Sequence, residues 1–133
     1  LGTAEVRRRG DDVTVVALAA TVPTALEAAE RLAGEGISAE VVDLRCLVPL
    51  DARAVLDSVA RTSRLVIVEE NPYQGGWGGT LASIVAEEGF YDLDAPIARV
   101  AGECVPLPFA ANLEDVVVPS PDRLADAVRK TVA

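Results

Sequence analysis

The densest run of chemically useful side chains and permissive backbone is Glu69-Glu70-Asn71-Pro72-Tyr73-Gln74-Gly75-Gly76-Trp77-Gly78-Gly79. Paired carboxylates invite general acid–base chemistry, which needs a carboxyl of shifted pKa beside a reacting group. Adjacent residues at a strand end point to opposite sides, however, so Glu69 and Glu70 are not expected to cooperate. They read as hydrogen-bonded or solvated carboxylates, one of which could cap the glycine loop or meet a neighbouring subunit. Glycines ahead of a helix let backbone N–H groups approach an anion. The spacing here is neither the dinucleotide fingerprint nor a Walker-type Gly-Lys-Ser/Thr, and two carboxylates before the loop repel a phosphate. A small-anion site therefore stands as a rival to a structural turn or a partner contact. Trp77, the sole tryptophan, is either buried under the sheet edge or an interface anchor, a role in which tryptophan is enriched. Tyr73 is a lesser candidate for the same role.

Other chemistries find little support. The chain has no histidine, so neither a Cys–His nor a Ser–His–Asp nucleophile can be assembled within it. Cys46 and Cys104 lack metal-site spacing, and zinc held by cysteines and carboxylates alone is improbable. They read as two reduced thiols. Asp43 and Arg45, near a strand end, could form an ion pair fixing the loop before Pro49, a structural role. The net charge of −9 argues against a nucleic-acid partner, which calls for a basic stripe. Arg7-Arg8-Arg9 is the local exception and reads as a solvated or partner-facing edge. No stretch approaches the roughly 18 uninterrupted apolar residues of a membrane span, and no secretory signal pattern opens the chain. A cytoplasmic location is expected.

The elements that must hold these residues follow from periodicity. The length of 133 residues fits one domain. With 50% hydrophobic and 4% aromatic residues, its core must be aliphatic. Val6 to Arg9 predicts a charged edge strand. Val13 to Ala20 is a nearly continuous apolar run suited to a strand covered on both faces. Thr21 is placed to cap a helix whose inward stripe is Val22, Ala25, Leu26, Ala29, Leu32 and Ala33, with Gly34 and Gly36 as the stop. Ser38 to Leu44 is the next strand. Asp51 caps a helix through about Arg61, with Val55, Leu56 and Val59 inward. Leu65 to Val68 is a short strand, followed by the glycine loop and a helix from about Thr80 to Glu88. Ile97 to Ala101 is the last strand. Ser120-Pro121 opens a final helix with proline at its first position and Leu124, Ala125, Val128 and Val132 inward. Strands alternating with helices predict a layered α/β domain with a largely parallel sheet.

The order of residues resembles a known family. Leu1-Gly2-Thr3-Ala4-Glu5-Val6 and Gly10-Asp11-Asp12-Val13-Thr14-Val15-Val16-Ala17 look like the start of a transketolase-type C-terminal domain. Gly36 to Arg45, followed by Pro49-Leu50-Asp51, resembles the β subunits of thiamine-diphosphate-dependent 2-oxo acid dehydrogenases of the pyruvate, branched-chain and acetoin type. Glu70-Asn71-Pro72 through Gly75-Gly76-Trp77-Gly78, Leu93-Asp94-Ala95-Pro96 through Arg99-Val100, Pro106-Leu107-Pro108-Phe109 and Pro119-Ser120 match in order and spacing. The resemblance spans essentially the whole chain. It implies a three-layer α/β/α fold with a mixed, mostly parallel five-stranded sheet, residues 1–133 being one such domain cut from a longer β subunit. In the intact enzyme thiamine diphosphate and magnesium would lie at sites supplied by the preceding domain and the α subunit. No catalytic, cofactor or metal residue is therefore carried over, and the fragment alone is expected to be inactive. Its implied role is assembly with the α subunit and a second β subunit, and docking of the dihydrolipoyl acyltransferase core. Glu70, Gly75, Gly76 and Trp77 are the candidate partner-binding residues, with the Ala133 carboxylate if that is the natural terminus. Transketolase and deoxyxylulose-phosphate synthase are the related alternatives, against which the Pro106-to-Pro119 segment favours the dehydrogenase. Two departures stand out: many relatives carry His in place of Glu69, and Gly-Pro-Asp-Thr in place of Gly102-Glu103-Cys104-Val105.

Overall fold

The apolar runs pair side by side because their backbone N–H and C=O groups, once removed from water, must bond to one another. A computed structural model describes residues 2–104, 112 and 117–133. Its elements are β1 (Glu5–Arg8), β2 (Val13–Ala17), α1 (Thr21–Ala33), β3 (Ala39–Asp43), α2 (Ala52–Thr62), β4 (Leu65–Pro72), α3 (Trp77–Glu88), a 3₁₀ turn (Phe90–Asp92), β5 (Ala98–Gly102) and α4 (Pro121–Val132). The sheet has the strand order β1-β3-β2-β4-β5. β1 runs antiparallel to β3, and every other pairing is parallel. This is the mixed, mostly parallel five-stranded sheet that the family resemblance implies.

Strand parity sorts the core into two layers. Val13, Val15, Val41, Val66, Val68 and Val100 point to the side where α1 and α4 pack. Val16, Val42, Leu65 and Ile67 point to the other, against Val55, Leu56 and Val59 of α2 and Leu81 and Val85 of α3. Each fully buried side chain of this size contributes about 1.5–3 kcal/mol relative to exposure. Gly10 lies flat on the Ala39–Glu40 peptide, where a Cβ has no room.

Several boundaries differ from expectation. β2 stops at Ala17 because Leu18 to Ala20 turn toward α1, with Ala19 at φ 54°. Thr21 does not cap α1 from outside. It is the first helical residue, and its hydroxyl accepts from Leu18 N (3.0 Å) and donates to Leu18 O (2.8 Å). In α1 Ala28 is buried alongside the expected Ala25 and Ala29, whereas Ala33 is exposed. β4 continues to Pro72 rather than ending at Val68, and α3 begins at Trp77 rather than near Thr80. Asp43 pairs with the Arg7 guanidinium (3.7 Å). It meets Arg45 only through that residue's backbone N–H (2.9 Å), so the expected Asp43–Arg45 ion pair is absent. The Asp51 and Ser120 caps are in place, accepting from Ala54 N and Arg123 N. Most of the Pro106-to-Pro119 segment that favours the dehydrogenase lies outside the described residues, as does Val105.

Candidate functional site

β4 and β5 carry the site. Glu69 shares the parity of Leu65 and Ile67, so it turns inward, while Glu70 turns outward and is exposed. The paired carboxylates thus separate as strand geometry requires. Glu69 is fully buried. One carboxylate oxygen accepts from Gly78 N (2.9 Å), and the other accepts from Arg99 Nη2 (2.6 Å). Arg99 reaches it from β5, with its side chain only 11% exposed. The same Nη2 donates to Tyr73 O (2.8 Å), and the guanidinium carbon lies 4.0 Å from the Tyr73 ring centroid.

The glycines follow from this carboxylate. A Cβ at Gly76 would lie 2.5 Å from Glu69 Oε2, and one at Gly78 would lie 2.6 Å from Oε1. Glycine is thus imposed at both positions by close approach rather than by backbone angles. Only Gly75, at φ 76°, needs the left-handed region. Glu69 supplies the negative charge that a helix N-terminus favours. The anion that the loop could have taken from solution is in effect supplied from within, which removes the geometric basis of the small-anion reading.

The loop presents one aromatic, Tyr73, outward. Tyr73 is 54% exposed. Trp77 is partly buried, resting on the α2–α3 core layer, so it lies between the two positions foreseen for it. Gly75 is exposed, Gly76 partly so, and Ala133 is exposed at the far end of α4. The structure therefore gathers Gly75, Gly76 and Trp77 into one loop, turns Glu70 to the opposite side from Glu69, and leaves Ala133 on another element.

Sequence reasoning missed Arg99 as a partner of Glu69, and it missed a second buried acid. Glu40 of β3 is fully buried. It accepts from Ser58 Oγ (2.6 Å), Arg61 Nη2 (2.5 Å) and, at 3.4 Å, Gly10 N. Thr14 Oγ1 continues the network to Ser58 Oγ (2.6 Å) and Thr62 Oγ1 (2.7 Å). Burial pushes the Glu40 carboxyl up, but the hydrogen bonds from Arg61, Ser58 and Gly10 outweigh it and hold the pKa below the ordinary value. A usable signal existed: Glu40 has the parity of Val42, and Glu69 that of Ile67, so both fall on a buried face. Among the described residues no cluster of three or more His, Cys, Asp or Glu could hold a metal, and both buried acids are saturated by arginine and N–H or hydroxyl donors. These residues do not fit a diphosphate–metal site. No helix among the described residues is long and apolar enough to cross a membrane.

A three-layer α/β/α unit with one antiparallel edge strand, and an internally capped glycine loop at a strand's C-terminal end, defines a structural class. The chain belongs to the transketolase C-terminal domain family, whose model matches residues 2–124. It is 47% identical over 129 residues to the pyruvate dehydrogenase E1 component subunit beta of Rickettsia felis, covering 97% of this chain and 40% of that protein. It is 41% identical over 131 residues to the 2-oxoisovalerate dehydrogenase subunit beta of Bacillus subtilis, covering 98% and 40%. A split-gene transketolase solved as an inactive β4 tetramer superposes with a TM-score of 0.85 at 34% identity, over 98% of this chain and 41% of that one. The chain thus spans about two-fifths of the length of the curated relatives it matches.

Proposed function

We propose that the chain is the assembly and partner-docking domain of the β subunit of a 2-oxo acid dehydrogenase, one domain of a longer polypeptide. The supporting observation is the match over nearly its whole length to pyruvate and 2-oxoisovalerate dehydrogenase β subunits. The geometry agrees, since the buried Glu69–Arg99 pair is spent on shaping a loop rather than on holding a reactant. In this reading thiamine diphosphate and magnesium are held by the preceding domain and the α subunit. The loop face of Gly75, Gly76 and Trp77, and the exposed Glu70 on the opposite side of β4 from Glu69, meet the α subunit or a second β subunit. The Ala133 end of α4 is the candidate contact for the dihydrolipoyl acyltransferase core. A cytoplasmic setting belongs to the same reading.

The test has two parts. Supplied with thiamine diphosphate, magnesium and a 2-oxo acid, the chain alone should show no decarboxylation, and turnover by it alone would overturn the proposal. In the intact β subunit, Trp77→Asp should lower the assembled fraction with the α subunit in sedimentation velocity while the β subunit stays folded. Unchanged assembly would remove the loop from the interface. The 34% identity to a split-gene transketolase favours a second reading, a transketolase β chain. Assaying the assembled enzyme with ketose phosphates against 2-oxo acids separates the two.

A further inference from the structure

A groove follows the open side of β5. This strand ends the sheet order and pairs with β4 alone, so among the described strands its other side is free. On the α4 face a cavity of about 520 Å³ lies between Ala95–Val100 and one stripe of α4. The stripe is Arg123, Asp126, Ala127, Lys130 and Thr131, spaced three and four residues apart as on one helix face. On the α3 face a second cavity of about 500 Å³ is lined by Ala86, Phe90, Leu93 and Ile97. The two share Ala95, Pro96 and Ile97 and so adjoin across that segment, together lining the sheet edge as a channel of two parts.

The chemistry changes along the channel. The α3 end is apolar and flanked by aromatic rings, with Phe90 61% and Tyr91 97% exposed. The α4 end is cationic. Asp126 is paired with Arg129 (2.7 Å), and the Arg99 guanidinium is spent on Glu69. Arg123 donates one Nη to Ala101 O (2.9 Å), and its other Nη is buried with no hydrogen-bond partner among the described residues. Lys130 has no ion pair among the described residues. A buried guanidinium nitrogen without an acceptor is costly and calls for one.

We propose that the β5 edge and this channel bind an extended, acidic peptide segment of another protein, which adds as a further strand to the sheet. Open strand edges recruit peptides in this way, with backbone bonds giving affinity and alternate side-chain pockets giving specificity. The segment places a large apolar side chain in the Ala86–Leu93–Ile97 pocket and a carboxylate against Arg123 and Lys130. Local charge selects this occupant: Arg123 and Lys130 line the α4 end, and neither has an acidic partner among the described residues. The inference stands apart from the loop face proposed above and does not depend on it.

The probe is a random displayed library of dodecapeptides, selected in parallel against the 133-residue chain and its R123Q variant. Selected peptides should carry Asp or Glu near an aromatic or aliphatic residue, and should shift the backbone amide signals of Ala98 to Gly102 in NMR spectra. Binding should weaken about tenfold in R123Q, the worth of one charge-assisted hydrogen bond, and by less in K130Q, where an exposed residue is changed and the fold is undisturbed. Methylating alternate peptide nitrogens should abolish binding. The proposal fails if nothing is selected, if selected peptides bind elsewhere, or if both variants and the methylated peptides bind as well as the originals. It also fails if the same amides shift on concentrating the chain alone, which would give the edge to a second copy.

Discussion

Glu40 and Glu69 enter the same face of one sheet, both wholly buried and both met by an arginine, yet they serve different ends. Glu40 lies inside the fold and collects two side-chain donors and one backbone N–H, tying β3, α2 and the Gly10 turn together. Its arginine, Arg61, is 47% exposed and half in water. Glu69 sits where β4 leaves the sheet, and its arginine, Arg99, is nearly sealed. Its carboxylate shapes the surface by holding α3's first turn and the glycine loop that carries Tyr73 and Trp77. The contrast teaches that a buried acid near a strand's C-terminal edge organises what the molecule shows, whereas one near a strand's N-terminal end organises how its layers meet.

The largest expected effect tests that contrast directly. Glu69→Ala leaves the Arg99 charge and Gly78 N–H stranded, so urea unfolding should show a loss of about 3–5 kcal/mol, the usual cost of breaking a buried pair from one side. Glu40→Ala should cost less, about 2–3 kcal/mol, because Arg61 can turn to solvent and the orphaned groups are a hydroxyl and one N–H. The reverse order would break the comparison.

Acid sharpens it further. The folded-state pKa of Glu40 lies below the ordinary value of 4.5, so its contribution is complete above that value and fades as pH falls through the lowered one. Glu40→Gln should therefore flatten the acid limb of a stability–pH profile below about pH 4.5 and leave its slope near neutrality unchanged. An unaltered acid limb would show that the lowered pKa is not linked to folding.

Smaller effects concern the surface. Tyr73→Ala removes the ring over Arg99 and should cost about 0.5–1 kcal/mol, with faster amide exchange confined to the Gly75–Gly79 loop. Exchange spreading into α2 would erase the distinction between the two regions. Arg7→Gln, which breaks a pair 3.7 Å long at a sheet edge, should change stability by no more than about 0.5 kcal/mol.

Much of this was legible in the residues. The apolar runs of β2, β3 and β4 are close to their structural positions, and Val55, Leu56 and Val59 of α2 point inward as their spacing requires. The opposite facing of Glu69 and Glu70 followed from strand parity alone. Less legible were the ends of elements. Thr21 became the first helical residue rather than a cap because its hydroxyl bonds back to Leu18, and β4 ran on to Pro72, with Gly102 of β5 opposite Pro72. Asp43 found Arg7 rather than Arg45, since antiparallel pairing with β1 brings that guanidinium alongside.

By itself the sequence determined the layered α/β architecture, the aliphatic core and the absence of a histidine-based nucleophile, because periodicity, composition and residue inventory are local properties. Only the tertiary structure decided which arginine each buried acid receives, why Gly76 and Gly78 admit no side chain, and that a channel lines the β5 edge. The arginine partners lie 21 and 30 positions away, Glu40 with Arg61 and Glu69 with Arg99. Chain order cannot name such partners. Sheet pairing and helix packing bring them within hydrogen-bond reach.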